Sequence, residues 1–386
     1  MKTRAKTVKQ ARLVLEDGSE FSGYSFGKAR SHAGEVVFYT GMGGYPQVLT
    51  DPAFRGQILV STYPLIGNTG VPVKTKTCEP FSDSQGLPLH LESSQIQVSG
   101  LVVSEACFAP SHFSSGAALP AWLEKCNTPG VYGIDTRALA RRLRDSGAMQ
   151  GKILVEGSRD PTMESGLIAN PVAEVSCQAP QSYGPGNITD DAPAKIALID
   201  CGVKAGLIRR LLRMNVEITL LPWNHDLKGF PYDGLMLCGG PGDPKACGKT
   251  IATVRRAFDL KKPIFGTGLG SLVMALAAGA DTYKLPNGHR GQGQPCIEAG
   301  TKRCYITSQN HGYAVRAESL PRGWAPWFIN ANDDTIEGIR CENGPFRGVQ
   351  FNPEGSPGPG DTGYLLENFM DEVDIARGKK KSTTSR

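Results

Sequence analysis

The chain's clearest fold signal reads Pro263-Ile264-Phe265-Gly266-Thr267-Gly268-Leu269-Gly270-Ser271-Leu272, a short apolar strand that passes through a glycine-rich turn into a helix. An earlier apolar stretch, Gly234–Leu237, ends in a second such turn, Cys238-Gly239-Gly240-Pro241-Gly242. Strand and helix patterns alternate from Lys195 to Ala278, which predicts an α/β fold with a parallel sheet and helices on both faces. Ligands of such sheets bind beyond the carboxyl ends of the strands, so both turns mark a candidate site.

The first part of the chain has strand patterns instead. Ala11–Leu15 and Phe21–Phe26 flank Asp17-Gly18, which predicts a β-hairpin. Three segments rich in β-branched residues are predicted to be further strands, at 35–39, 57–62 and 96–103. Helices are predicted at 122–125 and at 137–145, the second with Asp135 or Thr136 as its N-cap and Gly147 near its end.

These patterns divide the chain into four segments. A β-rich domain is predicted over 1–156 and an α/β domain over 194–377. The intervening residues, 157–193, are predicted to be a linker because Ser182-Tyr183-Gly184-Pro185-Gly186-Asn187 is a cluster of breaking residues. The basic, Ser/Thr-rich end, 378–386, is predicted to be disordered.

The net charge of +5 arises at the two ends of the chain. Ten of the 42 basic residues lie in the first twelve and last ten positions, which leaves 32 basic against 37 acidic residues elsewhere. A nucleic-acid-binding protein is expected to carry a basic folded face, so this class is set aside. The longest apolar run, Leu272–Ala278, is far too short for a membrane span.

Ten cysteines are scattered singly, without any Cys-x-x-Cys pair. This distribution is typical of reduced thiols in an intracellular compartment. No tight Cys/His spacing suggests zinc, and we predict no metal and no cofactor. The first residues, Met1–Arg12, are basic and contain no acid, which fits the end of a mitochondrial transit peptide or equally a solvated tail.

Two further segments complete a recognisable pattern: Ser308-Gln309-Asn310-His311-Gly312-Tyr313 and Gln350-Phe351-Asn352-Pro353-Glu354. Together with the two glycine-rich turns they resemble the class I glutamine amidotransferases. In that family a strand ends in G-I-C-L-G-H-Q and a later loop reads F-H-P-E. The resemblance implies a cysteine on a sharp strand-to-helix turn that attacks the amide of glutamine, a histidine base, a glutamate that orients it, and a G-G-P-G turn that stabilises the oxyanion.

The resemblance extends through most of the chain to the small subunit of carbamoyl-phosphate synthetase. It implies a β-rich N-terminal domain followed by a flavodoxin-like amidotransferase domain with a parallel sheet. It also implies a partner, either a large ATP-grasp subunit or a fused synthetase domain, that makes carbamoyl phosphate from ammonia or glutamine, bicarbonate and ATP. The supporting segments are 41–46, 50–52, 63–68, 131–137 and 290–292, and Gly23–Gly27 and Trp223–Asp226 are most similar to the mitochondrial urea-cycle type.

The chain departs from the family at the catalytic positions. Gly268 occupies the position of the cysteine and Asn352 that of the histidine, and Glu354 alone remains of the triad. In the implied glutamine pocket, Leu272 replaces a glutamine and Ala53 replaces a serine. The pocket positions that keep family-like residues are Gly240, Gly242, Leu269, Asn310, Gly312 and Tyr313.

These replacements predict that glutaminase activity is lost. Glycine cannot form a thioester, and asparagine accepts no proton near neutral pH. Triad residues act non-additively, so restoring the cysteine alone should not restore activity. Glutamine binding is expected to be weak or absent. We expect a glycine to be tolerated or mildly favourable at position 268, because an elbow of this kind strains any other residue.

Two other functions remain open at this point. One is an active glutaminase with a non-standard nucleophile, for which Thr267, Ser271 and Cys238 are weak candidates, with His311 as a proton-transfer group. The other is a stand-alone glutamine sensor. A dinucleotide-binding turn at Gly266–Gly270 is disfavoured, because its fingerprint requires a glycine where Ser271 stands. The sequence also does not decide between the mitochondrial matrix and the cytosol, or between urea or arginine synthesis and pyrimidine synthesis.

Overall fold

The computed structural model describes residues 8–184 and 192–379. These described residues form two compact units, which divide between Ala169 and Asn170. The predictions for the basic N-terminus, for the end of the breaker cluster and for the tail beyond Lys379 therefore lie partly or wholly outside the described residues. The predicted linker is largely structured in its described part. Residues up to Ala169 group with the first unit, and those from Asn170 group with the second.

The first unit is built around a closed barrel with the strand order β1-β2-β8-β6-β4-β3-β9. Strands β5 and β7 pair separately. The strands are β1 Gln10–Leu15, β2 Glu20–Gly27, β3 His32–Tyr39, β4 Ile58–Ser61, β5 Leu65–Ile66, β6 Gly100–Val102, β7 Glu105–Ala106, β8 Pro129–Tyr132 and β9 Met149–Val155. The helices are α1 Tyr45–Leu49, α2 Leu119–Lys125 and α3 Thr136–Ser146.

Local sequence explains several of these elements. The predicted hairpin is confirmed, since β1 and β2 pair antiparallel with Leu13 opposite Phe21. Helix α3 begins where predicted, because the Asp135 carboxylate accepts a hydrogen bond from the Ala138 amide at 2.9 Å. The strand predicted at 96–103 is shorter than expected, because the Gln97 amide bonds to the Leu49 carbonyl at the end of α1, the Ser99 amide bonds to the Gln57 carbonyl, and the ladder starts at Gly100.

The second unit contains a ten-stranded sheet with the order β10-β12-β11-β13-β14-β19-β18-β16-β15-β17. Its strands are β10 Gln181–Tyr183, β11 Ala194–Asp200, β12 Val216–Pro222, β13 Gly234–Leu237, β14 Ile264–Thr267, β15 Thr282–Glu298, β16 Cys304–Val315, β17 Trp324–Asn330, β18 Ile336–Cys341 and β19 Phe346–Val349. Its helices are α4 Pro171–Val175, α5 Ala205–Leu212, α6 Gly248–Ala257, α7 Leu269–Ala278 and α8 Tyr364–Ala376.

The predicted parallel sheet is present, but it is only part of a mixed sheet. The strands β12, β11, β13, β14 and β19 run parallel, whereas β10 and the strands from β18 onward join antiparallel. Strands β13 and β14 are buried at every residue, as expected for strands covered on both faces. This arrangement places the ends of β13, β14 and β19 side by side.

Among the residues described, no helix combines the length and apolar character required to cross a membrane.

Candidate active site

The turn after β14 has the geometry of a strand-to-helix elbow. Gly268 lies between β14 and α7 with φ 49° and ψ −120°, a backbone conformation that favours glycine. Its amide donates to the Val349 carbonyl at 2.8 Å, and its carbonyl accepts from the Ser271 amide at 3.1 Å. The elbow is therefore held by the neighbouring strand β19 and by the first turn of α7.

A side chain at Gly268 would point into the site predicted from the two turns. A β-carbon at this position would lie 3.2 Å from Gly239 Cα and 3.8 Å from the Gln350 carbonyl oxygen. Gly239 belongs to the turn after β13, and Gln350 follows β19 directly. The structure thus brings the elbow, the glycine turn and the 350–354 loop together at the carboxyl edge of the sheet.

The turn after β13 has little room for side chains. A β-carbon on Gly240 would come within 2.0 Å of the Cys201 carbonyl oxygen. Gly242 has φ 85°, and a β-carbon there would lie 2.5 Å from Pro171 Cγ. Both glycines are therefore required by the backbone packing, whatever their role toward a ligand.

The remaining triad glutamate lies in a buried ion pair. Glu354 Oε1 is 2.5 Å from Lys204 Nζ, and the two side chains are only 3% and 9% exposed. Lys204 also donates to the Ser356 carbonyl. Asn352 lies two residues before Glu354 in the same loop. Its backbone amide donates to the Ser308 carbonyl at 2.9 Å. The charge of Glu354 is thus balanced by a lysine 150 residues away in sequence, a contact that no local pattern predicts.

Asp200 positions the segment that carries this lysine. Its carboxylate, at the end of β11, accepts hydrogen bonds from the amides of Cys177, Gly202 and Val203 at 2.7–3.0 Å. Burial raises the pKa of Asp200, although these bonds oppose the shift. The bonds fix the turn that leads to Lys204 at the N-terminus of α5.

The alternative nucleophiles near the elbow are buried. Thr267 ends β14, and Ser271 in α7 is almost completely buried, with no hydrogen-bond partner for its hydroxyl in the described part of the chain. The Cys238 thiol donates to the Ile199 carbonyl at 3.2 Å, and burial raises its pKa well above the usual value. A thiol that stays protonated is a poor nucleophile, which agrees with a structural role for Cys238.

The remaining predicted pocket residues are distributed over three places. Leu269 and Leu272 are buried in the first turn of α7. Asn310, Gly312 and Tyr313 lie in β16, where Asn310 pairs with Arg290 of β15. Ala53 lies in the first unit, and its amide donates to the Asp51 carboxylate at 2.9 Å. The structure places the α7 residues at the elbow.

A cluster of ionisable side chains was missed by the sequence reasoning. His289, His311 and Glu337 lie on β15, β16 and β18, and their ligand atoms are all within 4.8 Å of one another. Burial raises the pKa of Glu337, but the two histidines outweigh this effect and lower it to about 2. Burial lowers the pKa of His289, but Glu337 and Asp333 outweigh it, so the net shift is upward. These residues are 22 or more positions apart, so no short motif marks them.

Comparisons with known proteins agree with this architecture. Residues 13–153 match the family described as carbamoyl-phosphate synthase small chain, CPSase domain, and residues 197–372 match glutamine amidotransferase class-I. The second unit is therefore a class I glutamine amidotransferase domain, which confirms the predicted fold. Residues 13–153 form a carbamoyl-phosphate synthase small-chain domain that precedes it in the chain.

The curated relatives that match this chain are much longer than it is. It is 45% identical over 381 residues to human "Carbamoyl-phosphate synthase [ammonia], mitochondrial", with coverage of 97% of this chain and 24% of the human protein. It is 43% identical over 380 residues to "Multifunctional protein pyr1-3" of Dictyostelium discoideum, with coverage of 95% of this chain and 17% of that protein. A solved glutamine amidotransferase of Thermotoga maritima is 20% identical, with a TM-score of 0.36 and coverage of 48% of this chain and 85% of the solved chain. The chain thus spans a quarter or less of these curated relatives.

Proposed function

We propose that this chain is the glutaminase-silent, amidotransferase-type part of a carbamoyl-phosphate synthetase that takes ammonia as its nitrogen donor. The observation that supports this proposal is Gly268 at the elbow. Its backbone keeps the conformation and the neighbours of a nucleophile elbow, but it supplies no atom that could attack an amide. The name of the human relative specifies ammonia, which agrees with such a role.

The other catalytic positions support the same conclusion. Asn352 cannot act as a base near neutral pH, and Glu354 is engaged by Lys204 at 2.5 Å. Leu272 and Ala53 offer apolar groups where the family resemblance implies polar contacts to glutamine. A single replacement of one triad residue lowers rates by orders of magnitude, and two replacements leave no route to a covalent intermediate.

The direct test measures ammonia release from glutamine by the purified chain. We expect no release above that of buffer, for the native chain and for Gly268→Cys, because the variant still lacks a base. The double variant Gly268→Cys/Asn352→His is the matched comparison, since it restores both groups. Saturable ammonia release by the native chain or by the single variant would contradict the proposal.

A second measurement separates the alternatives. An alkylating glutamine analogue should not label the native chain near position 268, whereas an active glutaminase with another nucleophile would be labelled there. Calorimetry should show weak or no binding of glutamine. Tight binding without turnover would instead favour a glutamine sensor.

The synthetase part must be supplied by another polypeptide segment under this proposal. We propose a large ATP-dependent subunit or a fused synthetase domain as the partner, because the relatives are several times longer than this chain. Affinity purification of the tagged chain from its source cells should recover a protein with ATP-dependent carbamoyl phosphate synthesis from ammonia. Recovery of the chain alone under gentle conditions would count against a separate subunit.

The compartment is proposed to be the mitochondrial matrix. The acid-free, basic segment Met1–Arg12 and the mitochondrial name of the human relative support this location. Import of the radiolabelled chain into isolated mitochondria tests it, with Lys2, Arg4 and Lys6 replaced by glutamine as the control. If added protease digests the native chain and the glutamine variant equally after incubation with mitochondria, the native chain has not been imported. That result would favour the cytosol, and with it a role in pyrimidine synthesis rather than urea or arginine synthesis.

A further inference from the structure

The cluster on β15, β16 and β18 has an unusual arrangement of acceptor atoms. His289 and His311 face each other directly in the antiparallel pair of β15 and β16, and their rings are 5.0 Å apart. Glu337 of β18 lies between them, with its side chain completely buried. The side chains of His289 and His311 are only 10% and 4% exposed.

In each imidazole, the nitrogen that faces away from Glu337, here called the outer nitrogen, is fixed as a hydrogen-bond donor. His311 Nδ1 is 2.9 Å from the Tyr313 carbonyl oxygen, which can only accept. His289 Nε2 is 2.9 Å from an oxygen of the Asp333 carboxylate, which also accepts. In neutral histidines the inner nitrogens, His289 Nδ1 and His311 Nε2, must therefore present lone pairs.

These inner nitrogens face further acceptors. His289 Nδ1 is 2.7 Å from Glu337 Oε1, and His311 Nε2 is 3.3 Å from Glu337 Oε2. His311 Nε2 also lies 3.1 Å from Gln309 Oε1. The Gln309 amide is oriented this way because its Nε2 donates to Thr307 Oγ1 at 3.0 Å and to Cys296 Sγ at 3.2 Å.

One neutral donor enters the cluster, and it serves one side of it. Asn330 Nδ2 is 3.1 Å from Glu337 Oε1 and 3.4 Å from His289 Nδ1. Glu337 Oε2 receives no hydrogen bond from Asn330, and the nitrogen recorded beside it is His311 Nε2 at 3.3 Å. A buried group of converging lone pairs is stable only if positive charge lies among them, either as protons on the imidazoles or as one divalent cation.

We propose that His289, His311 and Glu337 form a binding site for a divalent transition metal of the zinc class. Two imidazole nitrogens and one carboxylate oxygen are a common ligand set for zinc. Asp333 and the Tyr313 carbonyl then act as outer-sphere acceptors that fix each histidine tautomer and orient its ring. Three protein ligands leave a fourth position for a water molecule.

The ligand atoms all lie within 4.8 Å of one another, so binding one ion requires them to adjust their positions. Ligand atoms bound to one tetrahedral zinc at about 2.0–2.1 Å lie roughly 3.3 Å apart. The separation of His311 Nε2 from Glu337 Oε2 already has this value, at 3.3 Å. The 2.7 Å between His289 Nδ1 and Glu337 Oε1 must widen by about half an ångström. His289 is the most exposed ligand and Asp333 is 42% exposed, so a cation can enter from that side.

The position of the site suggests a structural role for the ion. The Glu337 carbonyl accepts a hydrogen bond from the Gln350 amide at 2.8 Å, and His311 lies between Asn310 and Gly312. A metal would tie β15, β16 and β18 together beside the 350–354 loop. The proposal does not depend on whether the chain hydrolyses glutamine.

The test uses the full chain, freed of metal with a chelator and then titrated with zinc ions under reducing conditions. We expect one zinc per chain by atomic emission after gel filtration. Glu337→Gln, which keeps the shape of the side chain, should weaken binding at least about tenfold. Cobalt substitution should give visible bands typical of a tetrahedral site with nitrogen and oxygen ligands, without thiolate charge-transfer bands in the near ultraviolet.

A matched pair of exposed substitutions protects the test against misfolding. Asp333→Asn removes the charge that orients His289 and should weaken zinc binding about 10- to 100-fold. Asp334→Asn removes the neighbouring charge, whose carboxylate has no recorded hydrogen bond or ion pair with the cluster among the described residues, and should leave the affinity unchanged. Absence of stoichiometric zinc, unchanged affinity in both Glu337→Gln and Asp333→Asn, or a thiolate spectrum from the ten cysteines would each overturn the proposal.

Discussion

At the scale of single residues, Gly268 is constrained by its backbone rather than by space alone. With φ 49° and ψ −120°, it has a conformation that costs a non-glycine residue about 1–3 kcal/mol. The close approach of Gly239 Cα adds to this cost. An active enzyme would tolerate the strain for its nucleophile, and a silent chain gains stability by relieving it.

We therefore predict that Gly268→Ala lowers the free energy of unfolding of the second unit by about 1–3 kcal/mol. Gly248→Ala is the control, because Gly248 has open space around it and stands at the start of α6. This substitution should be neutral or slightly stabilising. Hydrogen exchange of β14 amides during urea titration measures both. Equal effects of the two substitutions would show that position 268 is not strained.

The pair Lys204–Glu354 gives a second residue-scale prediction. Glu354→Gln leaves a buried lysine without its carboxylate, which should cost about 3–5 kcal/mol. Asp226→Asn removes a carboxylate from an exposed pair with Arg256, and its cost should stay below about 1 kcal/mol. Urea unfolding followed by hydrogen exchange in β11 compares them. A small effect of Glu354→Gln would show that water or another group compensates the lysine.

At the scale of secondary-structure elements, local chemistry determines where α3 begins. We predict that Asp135→Ala destabilises the first unit by about 1 kcal/mol, because the Ala138 amide loses its acceptor. Asp145→Ala removes the same charge near the other end of α3, where an acid is unfavourable to the helix dipole, and should cost nothing. Thermal unfolding measured for both variants checks the difference. A larger loss in Asp145→Ala would contradict the capping role.

The elements also show what the sequence could predict. Strands β13 and β14, their turns and α7 follow from short apolar runs and glycines, so the elbow at Gly268 was predictable. Strands β15 to β18 were not predicted. The sequences of β15 and β16 are long, contain glycines and many polar residues, and lack a clean period of two. The cluster of His289, His311 and Glu337 depends on the register of those strands. The Lys204–Glu354 pair likewise arises from the packing of distant segments.

At the scale of the whole molecule, the two units have separate sheets. The first unit closes its barrel and has its own apolar core, which includes Leu13, Val36, Ile58 and Ile153. The second unit begins before its first parallel strand, because α4 and β10 precede β11. A boundary drawn at residue 194 from sequence patterns therefore removes parts of the second unit.

We predict that a fragment of residues 170–386 folds cooperatively and that a fragment of residues 194–386 is markedly less stable. The shorter fragment lacks β10, which pairs with β12 from Gln181 to Tyr183 and covers its edge. It also lacks the Cys177 amide that bonds to the buried Asp200 carboxylate at 2.7 Å. Losing several such hydrogen bonds should lower the melting temperature by about 5 °C or more.

A fragment of residues 181–386 separates the two contributions, because it keeps β10 but not the bond to Asp200. Its melting temperature should lie between those of the other two, since each loss destabilises independently. An exposed β12 edge should also make the 194–386 fragment associate at high concentration, which light scattering detects. Equal melting temperatures for all three fragments would mean that residues 170–193 act as a plain connection, as the sequence patterns alone predicted.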